Sequence, residues 1–301
     1  MEYVMEIDKL SKNYGGKCAV DGFSLKMEKG HIYGLIGPNG AGKTTIMKMM
    51  AGLTAADSGS MKFFGSDDLD KKRERISFII EEPYMDYGMT ARQNTEYMRL
   101  LRGIPDEKCV DELLDFVGLT GTGKKPAKDF SLGMKQRLGL AMSLLPKPEI
   151  MVLDEPINGL DPEGIIDIRN MLGELVSRDN ITVLISSHIL KELSELCTDY
   201  AIVKNGKLIE ELSHEELLQK TRSCLALNTD DIARTATVLE EELNIHNYRI
   251  THENEILIYE RLDELKLISK TVTDHGFIIT RLNPEGESLE DYYIGKVGEE
   301  V

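Results

Sequence analysis

The chain begins with two segments in which apolar and polar residues alternate, 2–9 and 23–27. Such alternation is typical of half-exposed strands in an antiparallel sheet. Continuous apolar runs predict buried strands at three later places, 32–36, 150–153 and 181–186. Other strand patterns occur at 61–64, 76–80, 199–204 and 207–211. Asn205-Gly206 separates the last two, which is a strong signal for a two-residue hairpin turn.

Apolar residues at helical spacing replace this pattern in the middle of the chain. They predict helices at 90–101, 106–117 and 131–145, and the first two have Thr90 and Asp106 as N-caps. The segment from about 82 to 147 is therefore predicted to be a helical insert. Strands then alternate with helices at 162–177 and 213–220. This order predicts an α/β fold: a parallel sheet core, an antiparallel β subdomain and a helical subdomain.

The pattern changes again after about residue 222. The predicted elements there are strand 224–227, helix 230–243, strands 248–250 and 255–259, helix 262–273 and strand 277–280. A βαββαβ order is that of a small α+β unit of ferredoxin-like type. We therefore expect two domains, residues 1–220 and an accessory domain at 223–301.

A glycine-rich loop lies between the strand at 32–36 and the next helix. Its sequence has the P-loop pattern G-x-x-x-x-G-K-T, and its residues are Gly37, Pro38, Asn39, Gly40, Ala41, Gly42, Lys43, Thr44 and Thr45. In such loops the backbone N–H groups and the helix N-terminus face a phosphate. We expect Lys43 to reach the outer phosphates and the Thr44 hydroxyl to bind Mg²⁺. The loop therefore predicts nucleotide binding.

Two adjacent carboxylates end the buried strand at 150–153. Asp154 lies where a nucleotide-binding sheet exposes ligand groups, and we expect it to hold Mg²⁺ directly or through water. Glu155 is the predicted general base, polarising water for attack on the γ-phosphate. A P-loop with such a pair is found in many enzymes, so these residues alone leave the reaction open.

Composition excludes several classes of function. The 301 residues are 41% hydrophobic and 29% charged, which is an ordinary globular composition. The net charge of −16 opposes a nucleic-acid partner, since phosphate binding needs a basic surface. Four cysteines without a CxxC pair make a disulfide framework or a zinc site unexpected. Lacking a long apolar run and a signal-peptide pattern at its start, the sequence predicts a cytoplasmic protein.

Over about residues 1–220 the sequence resembles the nucleotide-binding subunit of an ABC transporter. Besides the P-loop (Walker A) and the strand ending at Asp154 (Walker B), four family elements occur in order. They are Tyr14 at the A-loop, the segment 130–137 at the signature, Gly159-Leu160-Asp161 at the D-loop and His188 at the switch position. From the residues alone, Tyr14 fits a base-stacking and a plain turn role equally, Ser131 reads as an N-cap and His188 as a structural histidine.

The resemblance implies a role for each element. ATP and Mg²⁺ are the expected cofactors, with Tyr14 on adenine, Mg²⁺ near Thr44, Asp154 and Glu81, and His188 assisting Glu155. Ser131 and Gly133 would act in trans on the ATP of a second subunit, and Asp161 would communicate across this dimer. The implied partners are a second copy of the chain and a separate membrane permease, so the protein would lie at the inner face of the membrane.

This sequence departs from the family pattern at several positions. Leu132 and Met134 replace a glycine and a glutamine of the signature, Glu81 replaces the Q-loop glutamine, and Ile157 replaces a threonine. None of these changes removes a catalytic group. With the C-terminal extension, they make the chain resemble ATPases of bacitracin, lantibiotic and multidrug exporters, a group linked to antibiotic resistance. The implied cargo is an antimicrobial peptide, a drug or a lipid-like compound. The alternatives are a soluble ABC-type ATPase that moves no solute and a regulatory subunit without turnover.

Overall fold

The structure is a computed structural model and describes residues 3–187, 190–220, 223–251, 255–286 and 292. The chain forms two compact units, residues 1–214 and 215–301. The predicted boundary lay a few residues later, near residue 220. Among the helices in the described ranges, none has both the length and the apolar character needed to cross a membrane.

The first half of unit 1 contains two sheets that share a core. Its elements are β1 (Tyr3–Tyr14), β2 (Lys17–Glu28), β3 (Ile32–Ile36), α1 (Lys43–Met50), β4 (Ser58–Phe63), α2 (Leu69–Arg73) and β5 (Ile76–Ile79). Strands β2, β1 and β4 form an antiparallel sheet in that order. β1 extends to Tyr14, five residues beyond the predicted strand, because it pairs with β2 as a long hairpin closed by Gly15-Gly16.

The middle of the chain is helical, as predicted. It contains α3 (Ala91–Leu101), α4 (Lys108–Phe116), two short 3₁₀ turns (Thr120–Thr122 and Ala127–Asp129) and α5 (Leu132–Leu144). Thr90 caps α3 in a capping box with Gln93. The N-cap of α4 is Glu107 instead of the predicted Asp106, whose carboxylate accepts a bond from the Lys108 N–H.

The remaining elements of unit 1 complete the main sheet. They are β6 (Ile150–Asp154), α6 (Pro162–Asp179), β7 (Thr182–Ser187), α7 (Leu190–Ser194), β8 (Asp199–Lys204) and β9 (Lys207–Ser213). The strand order is β5-β6-β7-β3-β8-β9, with all pairs parallel except β8–β9. Every residue of β3, β6 and β7 is buried. Their continuous apolar runs therefore correctly predicted strands covered on both faces.

A close backbone approach joins the helical part to the sheet. Gly139, in the middle of α5, faces Pro83, and a Cβ at residue 139 would overlap the proline ring. Pro83 lies two residues after Glu81, in the segment that leaves β5. Glycine at this position therefore lets α5 contact that segment directly.

The elements of unit 2 are α8 (His214–Lys220), β10 (Ser223–Thr229), α9 (Ile232–Leu243), β11 (Tyr248–Ile250), β12 (Ile256–Ile258), α10 (Leu265–Asp274) and β13 (Ile279–Gly286). The first residue of α8, His214, is the last residue of unit 1. The antiparallel sheet has the order β11-β12-β10-β13, which confirms the predicted ferredoxin-like arrangement. α10 starts three residues later than predicted, after Arg261 adopts a positive φ of 56°. A core of its own holds the unit together, with fully buried residues that include Leu225, Leu239 and Ile256.

We predict that Leu239→Ala destabilises unit 2 by about 3 kcal/mol, because it removes a fully buried side chain from a small core. Denaturant unfolding followed by circular dichroism measures the loss. Leu267→Ala is the matched control, since Leu267 on α10 is 43% exposed and its removal should cost less than about 0.5 kcal/mol. Equal losses for both variants would contradict this assignment of the core.

Candidate active site

The glycine-rich loop lies at the carboxyl end of the central strand β3, as its sequence context predicted. Gly40 and Gly42 have φ values of 83° and 103°, which residues with a side chain rarely adopt. A Cβ on Gly37 would lie 2.5 Å from the Val203 carbonyl oxygen. These glycines let the loop turn tightly against β8 before α1 begins at Lys43.

A cavity of about 320 Å³ lies over this loop. It is lined by Asn39, Gly40, Ala41, Gly42, Lys43, Thr44 and Thr45 from the loop and α1, by Tyr14, Lys17, Cys18 and Ala19 from the β1–β2 hairpin, and by Glu155. The structure thus brings together most of the predicted nucleotide-binding residues. The lining includes an aromatic ring, an ammonium and a carboxylate, which suits a ligand with a base and a phosphate chain.

Lys43 is the buried cation of this cavity. Its side chain is only 5% exposed, and Nζ donates to the Gly37 carbonyl oxygen at 2.7 Å and lies 3.6 Å from Glu155 Oε1. Burial lowers the pKa of Lys43 from its usual value, while Glu155 and Asp154 act in the opposite direction. The two carboxylates therefore help to keep a desolvated lysine charged at the point where a phosphate would bind.

Thr44 and Asp154 meet in the structure although 110 residues separate them in the sequence. The Thr44 hydroxyl donates to Asp154 Oδ2 at 2.8 Å, and Asp154 is 6% exposed. A hydroxyl and a carboxylate oxygen are the hard ligands that Mg²⁺ prefers beside phosphate oxygens. The described residues contain no cluster of three histidine, cysteine, aspartate or glutamate side chains suited to a metal. This pair therefore fits a metal that the nucleotide itself helps to bind.

Glu155 leaves β6 through a sharp turn. Its φ is 48°, in the left-handed region that is uncommon for a residue with a side chain. Asn158 Nδ2 donates to Glu155 Oε2 at 3.0 Å, and the Ser186 hydroxyl accepts from the Glu155 backbone N–H at 2.9 Å. Neither Asn158 nor Ser186 was predicted. Asn158 precedes the D-loop and was visible in the sequence, whereas no sequence signal aligns Ser186 with this turn.

Tyr14 is half exposed at the end of β1. The residues that contact its side chain are not part of the cavity lining. Its hydroxyl donates to Thr54 Oγ1 at 3.3 Å, and Lys12 Nζ lies 5.4 Å from the ring centroid. Asp57 fixes Lys12 through a 2.8 Å ion pair and accepts from the Asn13 N–H at 2.7 Å. These contacts hold the ring at the cavity lining, and its stacking on a base stays a prediction.

Glu81 forms an ion pair with a lysine of α1. Its Oε1 pairs with Lys48 Nζ at 2.6 Å, and this bond raises the pKa of Lys48. None of the described hydrogen bonds of Thr44 and Asp154 involves Glu81. A place for Glu81 near the metal therefore stays a prediction. Lys48 lies on α1, and nothing in the sequence pointed to it.

The signature and D-loop residues lie together and do not line the cavity. Ser131 caps α5, its hydroxyl accepting from the Met134 N–H at 3.3 Å, and Asp161 caps α6 through the Gly164 N–H at 3.2 Å. A Cβ on Gly159 would lie 3.2 Å from a Leu132 methyl group, so the two segments are in contact. His188, the predicted switch residue, lies outside the described residues, and β7 ends one residue before it.

The chain is similar to a known protein family and to individual members of it. The family described as ABC transporter matches residues 20–158. The bacitracin transport ATP-binding protein BcrA of Bacillus licheniformis is 37% identical over 301 residues, covering 99% of this chain and 98% of that protein. The lantibiotic transport ATP-binding protein SrtF of Streptococcus pyogenes is 41% identical over 212 residues, covering 70% of this chain and 92% of that protein.

Solved structures agree with these relatives. An ATP-binding cassette of an ABC transporter, crystallised in its ADP conformation, superposes with a TM-score of 0.65 at 25% identity, covering 73% of this chain and 95% of that one. The expected fold, a P-loop ATPase core with an antiparallel β subdomain and a helical subdomain, is thereby confirmed. From its motifs, its cavity and these relatives, the chain belongs to the ABC transporter family, as an ATP-binding subunit with ATPase activity.

Proposed function

We propose that the chain is the ATP-hydrolysing subunit of an exporter, working as a homodimer on a separate membrane permease at the cytoplasmic face. One observation carries the proposal. Lys43, Thr44 and Glu155 line one cavity, and Asp154 binds Thr44 at its edge. A cation, a pair of metal-binding oxygens and a base are the groups that phosphoryl transfer to water requires.

Hydrolysis needs a water molecule activated beside the γ-phosphate. In our proposal Glu155 accepts a proton from this water while the water oxygen attacks the γ-phosphorus. The bond between the γ-phosphorus and the β–γ bridging oxygen breaks, and ADP is the leaving group. Lys43 neutralises charge on the outer phosphate oxygens, and Tyr14 stacks on adenine. The amide of Asn158 and the ammonium of Lys43 both contact the Glu155 carboxylate, which supports its placement beside the cavity.

Thr44 and Asp154 would hold Mg²⁺, and Glu81 would join them at longer range. The metal would supply charge neutralisation at the β- and γ-phosphate oxygens. Thr44 and Asp154 already contact each other, so the two protein oxygens are positioned before any ligand arrives. In the structure Glu81 is bound to Lys48 through Oε1.

The homodimer is supported by where the signature residues lie. Ser131 and Gly133 are at the N-terminus of α5 and do not line the cavity of their own chain. A helix N-terminus with free space around a glycine suits an anion. We propose that it contacts the γ-phosphate held by a second copy, with Asp161 communicating across the interface and His188 completing the catalytic group.

The exported compound is proposed from the relatives. The bacitracin transport protein aligns with both units of this chain, which favours a peptide antibiotic or a similar amphipathic drug or lipid-like compound as cargo and a role in antibiotic resistance. The lantibiotic transport protein covers a smaller share of the chain. Because these relatives are transport proteins, a soluble ABC-type ATPase that moves no solute is not supported.

We predict that Glu155→Gln lowers kcat for ATP hydrolysis by about 100-fold or more while ATP binding persists, since only the proton acceptor is lost. Phosphate release and a fluorescent ATP analogue measure the two quantities. Glu163→Gln, an exposed change at the start of α6, is the control and should leave both unchanged. Normal turnover by the Glu155 variant would refute the assignment of the base.

Gly133→Asp tests the shared site in a protein that still folds. A Cβ at residue 133 would meet its nearest atom, Leu160 Cδ2, at 3.8 Å, so a side chain fits within one chain. In the Glu155→Gln background, ATP should drive dimer formation, and the added carboxylate should abolish it by repelling the partner's phosphate. Light scattering measures the mass. Gly121→Asp, at another glycine with open space, is the matched control and should still dimerise.

Tyr14→Ala should weaken ATP binding by about tenfold, because base–aromatic stacking contributes about 1–1.5 kcal/mol. Tyr14→Phe keeps the ring and should bind nearly as well as the unchanged protein. Equilibrium titration with ATP provides the dissociation constants. Tyr3→Ala is the matched control, since Tyr3 is also an exposed tyrosine of β1 with a lysine over its ring. Equal affinities of the Tyr14→Ala and Tyr3→Ala variants would rule out the stacking role.

A further inference from the structure

A buried serine lies between the two carboxylate residues of the active site and is absent from every motif. Ser186 is the fifth residue of β7 and has no exposed surface. In the parallel pairing of β6 with β7 it stands directly opposite Asp154. The register of these two strands, and not their sequence, brings the serine to the place where β6 ends.

The Ser186 hydroxyl joins two groups of neighbouring residues. It donates to Asp154 Oδ1 at 2.6 Å and accepts from the Glu155 backbone N–H at 2.9 Å. A hydroxyl has one proton, a carboxylate oxygen can only accept and a backbone N–H can only donate. The direction of both bonds is therefore fixed by chemistry, and the hydroxyl cannot turn without breaking one of them.

These bonds extend to the phosphate loop. Asp154 accepts from Ser186 through Oδ1 and from Thr44 through Oδ2, so each of its oxygens has a side-chain donor. The result is a continuous row: Thr44, Asp154, Ser186 and the Glu155 backbone. Three separate segments of the chain, α1, β6 and β7, are thereby held at fixed distances at the edge of the cavity.

The backbone of Glu155 makes this row relevant to the reaction. Its φ of 48° is a left-handed conformation that a residue with a side chain adopts only when its surroundings hold it there. The bond from its N–H to Ser186 fixes the orientation of that peptide. Because the backbone at residue 155 sets the direction of its Cα–Cβ bond, the serine also limits where the carboxylate can reach.

We infer that Ser186 is a positioning residue for ATP hydrolysis, which fixes the Glu155 carboxylate relative to Asp154 and Thr44. It does not touch the nucleotide and acts through the turn at residue 155. The inference rests on the proposed role of Glu155 as the base. It assigns to β7 a task in the reaction separate from that proposed for His188, which follows the same strand.

The test compares Ser186→Ala with a change that removes an equally buried hydroxyl elsewhere in the sheet. Ser77 on β5 is 4% exposed, and its hydroxyl donates to the Ser143 carbonyl oxygen at 2.6 Å. Both variants should lose thermal stability. Only Ser186→Ala should lower kcat, by about tenfold or more, with ATP affinity preserved, because misplacing a catalytic group costs rate and not substrate binding. Ser186→Thr keeps the hydroxyl and should restore most of kcat.

A double-mutant comparison separates positioning from a general structural effect. In the Glu155→Gln background, single-turnover hydrolysis of radiolabelled ATP should be no slower when Ser186→Ala is added, because the base that the serine positions is already gone. The inference is overturned if Ser186→Ala turns over normally, if Ser77→Ala lowers kcat equally, or if the serine change slows the Glu155 variant by the same factor. Normal turnover of Glu155→Gln itself would instead overturn the proposed role of the base.

Discussion

The parallel register of β3, β6 and β7 is the constraint on which the active site depends. Ile36, the last residue of β3, pairs with Ser187, and Asp154, the last residue of β6, pairs with Ser186. Because parallel strands end at the same edge of the sheet, the phosphate loop and the acidic turn emerge at one edge, on either side of β7. In this register Asp154 and Ser186 are opposite each other and hydrogen-bonded, and a slip of one residue between β6 and β7 would break that bond.

The charges at this edge depend on one another. Lys43 is a buried ammonium, and burying a charge is unfavourable unless partners compensate for the lost water. The Glu155 carboxylate and the loop carbonyls provide that compensation. The same arrangement places opposite charges beside the proposed reaction centre. There, the phosphates of a bound triphosphate would replace the Glu155 carboxylate as the anionic partner of Lys43. The contacts of Lys43 therefore contribute both to the stability of the fold and to the proposed binding of the nucleotide.

Sequence reasoning predicted the fold and the main residues of the cavity because their signals are local. A glycine-rich loop between strand and helix, and two carboxylates after an apolar run, can be recognised without knowing which strands are neighbours. Ser186 and the Lys48–Glu81 pair could not be found in this way. They depend on strand register and on contacts between segments 33 residues apart, which no periodicity encodes.

The contact between Gly139 and Pro83 has a consequence for how motion passes through the molecule. Since the α5 backbone lies directly against the proline ring, there is no side chain between them that could absorb a small shift by changing its rotamer. Pro83 follows Glu81 closely in sequence, and α5 begins at the helix cap formed by Ser131. A displacement at either end would thus be transmitted directly, so the N-terminal part of α5 and the segment leaving β5 would move together.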